Sequence, residues 1–305
     1  MHRIDPDRTH LLLVNPHSAG GRAPKLLPQV QAELEARSIP HRVLRTESLE
    51  HGIGEARRAA EAGEIPVVMS GDGLVGQVGG ALAEMGTPMG IIPGGRGNDL
   101  ARVLRIPADP AGAVAVLAAG DPRQIDVGVA NGRRFLGVAS CGFDSDANRI
   151  ANEARLVRGN LVYAYAAIRG LIAWRPARFT ITLDDADPIE YDGYSVAAAN
   201  SRAFGGGMFV APHAELDDGE LDVITVSDVS KVRYARGLPK VFKGTHLQNE
   251  EVSELRAAAV EIRADRPFAV YADGEHLTDL PATLSVLPGA LRVIAPPGPL
   301  VGPPS

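Results

Sequence analysis

This chain of 305 residues has few cysteines and no long apolar run, the features that mark disulfide-rich and membrane-spanning proteins. Its single cysteine, Cys141, excludes an intramolecular disulfide and fits a reducing compartment. No stretch approaches the roughly 20 consecutive apolar residues that a membrane-spanning helix needs. The apolar run 11–14 near the N-terminus is too short for a secretory signal. We therefore expect a cytoplasmic protein.

Basic residues are also fewer than acidic ones. The chain has 31 Lys and Arg residues against 37 Asp and Glu, which gives a net charge of −6. General nucleic-acid binders obtain their affinity by neutralising phosphates, so this balance argues against a nucleic-acid partner. An apolar content of 45% is that of an ordinary globular protein, and the length suits two domains.

The order of apolar runs and turns divides the chain into two parts. Residues 1–128 alternate predicted strands with predicted helices, which implies right-handed crossovers and a doubly wound parallel sheet. Residues 129–290 contain short strand-like segments with Asp-Gly turns, which predict a β-rich antiparallel domain. Residues 291–295 read as a strand that returns to the first domain, and 296–305 as a flexible tail.

Two predicted strands of the first domain each end at a glycine-rich loop that carries an aspartate. These are Asp72 in SGDG and Asp99 in GGRGND. Glycine allows the backbone to approach a bulky anion, and the N–H groups at the start of the next helix point towards it. A carboxylate in each loop would repel a phosphate, so the pattern implies a bridging cation, for which Mg²⁺ is the best candidate.

A third glycine loop, 15–21, also follows a strand. Ligands of parallel sheets bind outside the carboxyl ends of the strands, where all three loops are expected to lie. The sequence therefore predicts a site for a nucleotide and a metal at this edge of the sheet.

Seven short motifs occur in a fixed order along the chain. They are NPHSAGG (15–21), SGDGL (70–74), GGRGNDLA (94–101), IDVG (125–128), GFD (142–144), LDDGELDV (216–223) and DGE (273–275). Together they resemble the catalytic domain of the diacylglycerol kinase and sphingosine kinase superfamily, in its bacterial lipid kinase branch. The resemblance covers nearly the whole chain. It implies a phosphofructokinase-like α/β domain, a sandwich-like β domain and an active site in the cleft between them.

The resemblance also implies ATP and Mg²⁺ as cofactors and a lipid alcohol as the phosphate acceptor. The positions that it assigns to ATP are Asn15, Ser18, Gly20, Thr46, Ser70, Gly71, Asp72, Gly73, Leu74, Gly94, Gly95, Arg96, Gly97 and Asn98.

Three aspartates are assigned to the nucleotide-bound Mg²⁺ by the same resemblance: Asp72, Asp99 and Asp126. The alternative for Asp99 is a helix N-cap, and for Asp126 a strand-edge residue or a salt bridge.

A second, structural Mg²⁺ is implied at the LDDG loop. Asp218 would supply its carboxylate, and Glu215 and Glu220 their backbone oxygens. The alternative is an Asp-Gly turn whose charges face solvent.

The DGE segment is expected to supply the base that deprotonates the lipid hydroxyl, with Asp72 completing the catalytic set. Glu275 is the first choice because of its longer reach, and Asp273 would orient it or take the role itself. The alternative is an ordinary hairpin turn, because Asp-Gly is also a strong turn signal. Asp144 and Asp146 stand where sphingosine kinases contact the polar head of the substrate, so they are candidates for recognition of the lipid acceptor.

The chain departs from the family pattern at three positions. Leu74 replaces the usual threonine after GGDG, and Gln77 replaces an acid. Arg96 stands where the second loop usually has threonine, and its guanidinium can fork onto a phosphate or point to solvent. These changes motivate one alternative function, a catalytically weak regulator that binds a nucleotide or a lipid.

The segment from Arg149 to Arg178 holds six arginines and one acid, Glu153. Such a basic amphipathic surface is suited to anionic lipid headgroups, which favours peripheral contact with the inner face of the membrane. The alternative is a core-packed helix pair with a solvated arginine face. An exposed sheet edge in the second domain would allow a homodimer.

These observations favour an ATP- and Mg²⁺-dependent lipid kinase, with diacylglycerol as the leading acceptor and phosphatidic acid as its product. Sphingosine or another lipid alcohol is the first alternative acceptor. NAD kinase and phosphofructokinase are more distant alternatives, because they share a GGDG loop.

Overall fold

The computed structural model describes residues 7–119, 121–143, 145 and 170–297. The first part of the chain forms a parallel sheet of β1 (His10–Val14), β2 (His41–Arg45), β3 (Ile65–Ser70) and β4 (Pro88–Pro93), in the order β2-β1-β3-β4. Every residue of β1, β3 and β4 is buried, as expected for apolar strands that are covered on both faces.

Helices connect these strands and cover the sheet. They are α1 (Arg22–Ala36), α2 (Leu49–Glu61), α3 (Asp72–Leu82), α4 (Asp99–Val103) and α5 (Pro110–Ala119). In α1 the buried residues Leu27, Val30 and Leu34 recur every three or four positions, which defines the face that packs on the core. Helix α2 begins at Ser48, whose side chain accepts a 3.1 Å hydrogen bond from the His51 N–H.

The second part of the chain is β-rich and antiparallel. Its strands are β5 (Asp121–Ala130), β6 (Arg133–Phe135), β7 (Val138–Gly142), β8 (Ala177–Leu183), β9 (Ile189–Ala199), β10 (Ala203–Phe204), β11 (Met208–Phe209), β12 (Leu221–Ser227), β13 (Val252–Ala257), β14 (Ala259–Ala264), β15 (Ala269–Ala272), β16 (Glu275–Asp279) and β17 (Ala282–Ala295). Helix α6 (Lys231–Val241) follows β12. The predicted fold class, a parallel α/β sheet followed by an antiparallel β-rich part, is confirmed.

The last strand joins the two parts. It pairs antiparallel with β14 and β5, and near its end Arg292 and Val293 pair parallel with Pro88 and Met89 of β4. The sequence predicts two strands here, 282–287 and 291–295, but the structure has one continuous strand. Its register shifts between Leu287 and Leu291, a bulge that absorbs the turn-forming residues.

The sequence from Phe135 to Ser140 reads as a single strand, and this prediction is wrong in one respect. The structure divides it into β6 and β7, and residues 136 and 137 form a bend between them. The backbone N–H groups of Leu136 and Gly137 donate to the Asp273 carboxylate instead of to a neighbouring strand. Strands β13 and β16 were not predicted, because their charged residues interrupt the apolar alternation.

Each part has its own core. The core of the first part is aliphatic, whereas the β-rich part packs aromatic rings: Phe143, Trp174, Phe179, Tyr194, Tyr234 and Phe268. Within the described residues, no helix has the length and apolar character needed to cross a membrane.

Candidate nucleotide site

The carboxyl ends of the parallel strands open into a cavity of about 690 Å³, a size that suits a nucleotide. Its walls are formed by the loops after β1, β2, β3 and β4 and by the DGE segment. The lining residues are Asn15, His17, Ser18, Ala19, Gly20, Thr46, Glu47, Ser48, Leu49, Ser70, Gly71, Asp72, Gly73, Leu74, Gly95, Arg96, Asp273 and Glu275. Of the predicted ATP positions, Gly94, Gly97 and Asn98 are not part of this lining.

The SGDG and GGRGND loops touch each other. A β carbon at Gly95 would lie 2.3 Å from the Cα of Gly71, so the observed approach requires glycine. The Asn98 side chain closes the second loop: its oxygen accepts a 2.8 Å hydrogen bond from the Gly95 N–H, and its amide donates to the Gly95 carbonyl at 3.1 Å. From the third glycine loop, 15–21, the Ser18 hydroxyl donates to the Gly94 carbonyl at 3.1 Å. The cavity is therefore bounded on this side by loop backbone that side-chain hydrogen bonds hold in place.

The loop aspartates form a connected pair. Oδ1 of Asp72 accepts a 2.6 Å hydrogen bond from the Asp99 N–H at the start of α4. The pKa of Asp72 is raised, first by burial and then by the nearby negative charge of Asp99. The two neighbouring carboxylates create a negative potential, which a bound cation would neutralise.

Asp99 also joins the nucleotide loop to the β-rich part. One oxygen of this buried carboxylate accepts from Arg102 Nη1 at 2.6 Å, and the other from the Gly206 N–H at 2.7 Å. Gly206 lies in the tight turn between β10 and β11. The assignment of Asp99 to the nucleotide-bound Mg²⁺ stays a prediction, and the observed contacts also make the residue a bridge between the two parts.

Backbone N–H groups hold the side chain of Asp273 in place. Its two carboxylate oxygens each accept a 3.0 Å hydrogen bond, one from the Leu136 N–H and one from the Gly137 N–H. Burial, the largest cause, and the charges of Asp72 and Asp99 raise the pKa of Asp273 to about 6. Its backbone φ of +52° lies in the left-handed region, which few residues other than glycine adopt. Asp273 is therefore held in one orientation.

Glu275 is arranged differently. It is exposed and lines the cavity, and its Oε1 lies 3.8 Å from the place of a β carbon on Gly73 in the SGDG loop. Its side chain has no hydrogen-bond partner among the described residues. An exposed carboxylate from the β-rich part thus stands over the SGDG loop.

Models of known protein families match both parts of the chain. The model of the diacylglycerol kinase catalytic domain matches residues 9–130, and that of the YegS C-terminal NAD kinase beta sandwich-like domain matches residues 137–295. A diacylglycerol kinase of Mycobacterium tuberculosis is 34% identical over 298 residues, 93% of this chain and 94% of that protein. A probable YegS-like lipid kinase of Chromohalobacter salexigens is 30% identical over 262 residues, 81% of each chain.

The chain belongs to the family of diacylglycerol kinases and YegS-like lipid kinases. The predicted enzyme class, a lipid kinase, is thereby confirmed. A crystal structure of a putative diacylglycerol kinase from Bacillus anthracis is similar in fold, with a TM-score of 0.78, 23% identity and coverage of 95% of this chain and 98% of that chain. An NAD kinase from Archaeoglobus fulgidus in complex with ATP has a TM-score of 0.50 at 11% identity, with 93% and 92% coverage, and shares the fold alone.

In this lipid kinase Asp126 does not line the cavity. Its carboxylate is buried and accepts hydrogen bonds from the N–H groups of Gly219, at 2.7 Å, and Gly289, at 2.6 Å. These contacts fix the LDDG loop against the bulge of β17. The assignment of Asp126 to the nucleotide-bound Mg²⁺ stays a prediction, and the observed contacts give the residue an additional structural role.

The LDDG loop has a protein cation close to its carboxylates. Asp218 pairs with the Arg256 guanidinium and accepts a 3.0 Å hydrogen bond from the Glu220 N–H. Glu220 also pairs with Arg256, at 3.2 Å. Within the described ranges, no group of three or more His, Cys, Asp or Glu residues is arranged to hold a metal. A structural Mg²⁺ involving Glu215, Asp218 and Glu220 stays a prediction, and in this structure Arg256 pairs with the carboxylates of Asp218 and Glu220.

Some parts of the site were not predicted, and others are not described. Three residues of the loop after β2 line the cavity and were not predicted: Glu47, Ser48 and Leu49. Ser48 is a typical N-cap residue, so the sequence marks this loop as the connection between β2 and α2, at the same edge of the sheet as the glycine loops. Asp144, Asp146 and most of the basic segment, residues 146–169, lie outside the described residues. The tail is described only as far as residue 297.

Proposed function

We propose that this lipid kinase uses ATP and Mg²⁺ to phosphorylate diacylglycerol, giving phosphatidic acid. The family implies ATP as the phosphate donor, and several relatives are named diacylglycerol kinases. The observation that carries the proposal is the position of Glu275 beside Gly73. It brings a carboxylate of the β-rich part to the loop where the phosphates of a nucleotide would lie.

The residues around the cavity fit a metal-bound nucleotide. Mg²⁺ is commonly held by one or two carboxylates together with substrate phosphates, so it does not need a cluster made of protein ligands alone. Among the predicted ligands, Asp72 lines the cavity, whereas Asp99 and Asp126 do not. Asp72 is therefore the residue that would hold the metal, which when bound neutralises charge on the phosphates.

Glu275 would act as the general base. In the proposed reaction its carboxylate accepts the proton of the lipid hydroxyl from a distance of ~2.6–3.2 Å while the hydroxyl oxygen attacks the terminal phosphorus and ADP leaves. Asp273 has both oxygens occupied by backbone N–H groups, so it would position the DGE segment without itself taking the proton. Arg96, exposed at the mouth of the cavity, is free to fork onto a phosphate oxygen.

The proposal is tested by incubating the purified protein with labelled ATP, Mg²⁺ and a panel of lipid alcohols that includes diacylglycerol and sphingosine. We expect label in a chloroform-soluble product of diacylglycerol, and a rate of product formation lower by about a hundredfold or more with Asp72→Asn or Glu275→Gln in folded protein. Transfer to sphingosine alone would change the proposed acceptor but leave the proposed reaction, phosphate transfer from ATP to a lipid alcohol, in place. Nucleotide binding without transfer to any lipid would refute the proposal in favour of a regulator.

A further inference from the structure

Helix α6 carries positive charge on its outer side. The segment from 231 to 243, KVRYARGLPKVFK, contains five Lys and Arg residues and no acid, in a chain whose net charge is −6. Tyr234 is buried and Leu238 packs beside it on the aromatic core, so the opposite side of the helix faces solvent. The basic character is therefore concentrated on one exposed face.

Large apolar side chains are exposed along the same helix and beside its start. Val232 is 61% exposed, Phe242 at the end of the helix 54%, and Ile172 72%. Ile172 adjoins the start of α6, because Lys231 Nζ donates a 2.6 Å hydrogen bond to its carbonyl oxygen. At 1.5 Å of rise per residue, Val232 and Phe242 stand about 15 Å apart along the helix. Within the described part of the chain, Ile189 is the other exposed large hydrophobic residue.

Most of the cations on this face have no carboxylate partner among the described residues. Arg233, on the flank, is the exception, since it pairs with Glu251 at 2.7 Å. Lys240 donates to the neutral Asn249 side chain at 2.5 Å and keeps its net charge. Arg236 and Lys243 are exposed and make no ion pair within the described ranges. We call the set Ile172, Val232, Arg236, Lys240, Phe242 and Lys243 the α6 surface.

We propose that the α6 surface docks this enzyme on a membrane rich in anionic phospholipid. Its cations would contact the headgroups, and Ile172, Val232 and Phe242 would enter the boundary between the headgroups and the acyl chains. A second copy of the chain is a poor occupant, because two such surfaces repel each other. A nucleic acid would use the cations and leave the three apolar side chains in water.

The α6 surface is connected to the nucleotide site by a short run of contacts. Gly244, just after the helix, lies against Pro212 and Phe209; a β carbon there would be 3.0 Å from Pro212 Cβ. Phe209 belongs to the β10–β11 hairpin, whose Gly206 donates to Asp99 of the nucleotide loop. The docked helix would thus support the part of the β domain that adjoins the active site. This link to catalysis rests on the proposed function, whereas the docking itself does not.

The test is co-sedimentation of the full-length protein, without ATP, with phosphatidylcholine vesicles that contain or lack phosphatidylglycerol. We expect binding only to the anionic vesicles. Arg236→Glu/Lys243→Glu should weaken it by roughly tenfold or more, given the usual contribution of each basic residue at a charged surface. The matched control is Lys25→Glu/Arg133→Glu, which changes the net charge equally at exposed cations of α1 and β6 and should bind as the wild type does. Phe242→Ser should weaken binding and Ile189→Ser should not.

Three results would overturn the docking proposal. They are no binding of the wild type to anionic vesicles, equal loss in both charge-reversal variants, and binding of RNA by these residues without binding of vesicles. A parallel assay with a short-chain, monomeric diacylglycerol separates the two proposals. The α6 variants should phosphorylate this acceptor as the wild type does. If no acceptor is phosphorylated, the proposed function fails while the vesicle result still decides the docking surface.

Discussion

The carboxylate of Asp273 lies directly against Gly76 in helix α3. A β carbon at Gly76 would stand 2.6 Å from Oδ2 of Asp273, closer than the 3.0 Å below which real Cβ contacts are essentially never found. The same carboxylate holds the bend between β6 and β7 through the N–H groups of Leu136 and Gly137. Three segments that are far apart in the sequence therefore meet at one side chain, and the missing side chain of Gly76 makes this possible.

Gly76→Ala should displace Asp273 and with it Glu275. We expect a loss of about 1–3 kcal/mol in the free energy of unfolding, because a methyl group is forced into a filled space. The rate constant for phosphate transfer should also fall, since the base moves away from the SGDG loop. Urea unfolding and kcat measure the two effects. Gly54→Ala is the control, because its nearest neighbour would be an Arg58 side-chain nitrogen at 3.7 Å. Wild-type kcat in Gly76→Ala would contradict the positioning role of Asp273.

The glycine loops and their aspartates were predictable from the sequence, because strand ends, glycine spacing and carboxylates are local signals. The contacts that hold Asp273 in place were not. Its partners, Leu136 and Gly137, lie more than 130 residues away and bind through backbone N–H groups, which leave no trace in residue type. The bridge from Asp99 to Gly206 escaped prediction for the same reason.

Glu275→Gln and Asp273→Asn should separate the base from the residue that positions it. Glu275→Gln is expected to lower kcat by about a hundredfold to ten-thousandfold, the usual contribution of a general base, and to leave Tm nearly unchanged because the side chain is exposed. Asp273→Asn places an amide donor against a backbone N–H donor, so it should lower the unfolding free energy by about 1–3 kcal/mol as well as the activity.

Thermal unfolding and steady-state kinetics on both variants decide this assignment. The opposite pattern would move the base to Asp273: an inactive but fully stable Asp273→Asn, together with an active Glu275→Gln. Asp279→Asn, at an exposed carboxylate near the end of the same hairpin, serves as the control and should change neither quantity.

Asp222 should make the stability of the fold depend on pH. It is 1% exposed, and neither of its carboxylate oxygens has a hydrogen-bond partner within the described residues. Burial, and next the charge of Glu254, raises the pKa of Asp222 to about 7. The folded state therefore favours the protonated form. The free energy of unfolding therefore falls as the pH rises from about 4, the pKa of Asp222 in the unfolded chain. The loss is complete above about pH 7, where Asp222 is ionised in the folded state as well.

Asp222→Asn removes this titration. We expect the variant to gain roughly 2–3 kcal/mol relative to the wild type between pH 5 and pH 8, measured by urea unfolding at both values. Asp185→Asn, at an exposed carboxylate, should show the same small difference at each pH. A variant that loses stability at pH 8 would mean that Asp222 is ionised and stabilised by Arg256, whose Nε lies 3.6 Å from Oδ1.

Arg96 should contribute to the affinity for ATP rather than to the fold. The residue replaces the threonine expected in the second glycine loop, is exposed at the cavity mouth and has no hydrogen-bond partner in the described part of the chain. A guanidinium in this place can make charge-assisted hydrogen bonds to a phosphate. We expect Arg96→Ala to raise KM for ATP by roughly tenfold with an unchanged Tm, since bonds of this type contribute about 1.5–3 kcal/mol. Arg105→Ala, an exposed cation beyond α4 that does not line the cavity, is the matched control. An equal rise of KM in both variants would assign the effect to general positive charge, and no rise in either would place the Arg96 side chain in solvent throughout the reaction.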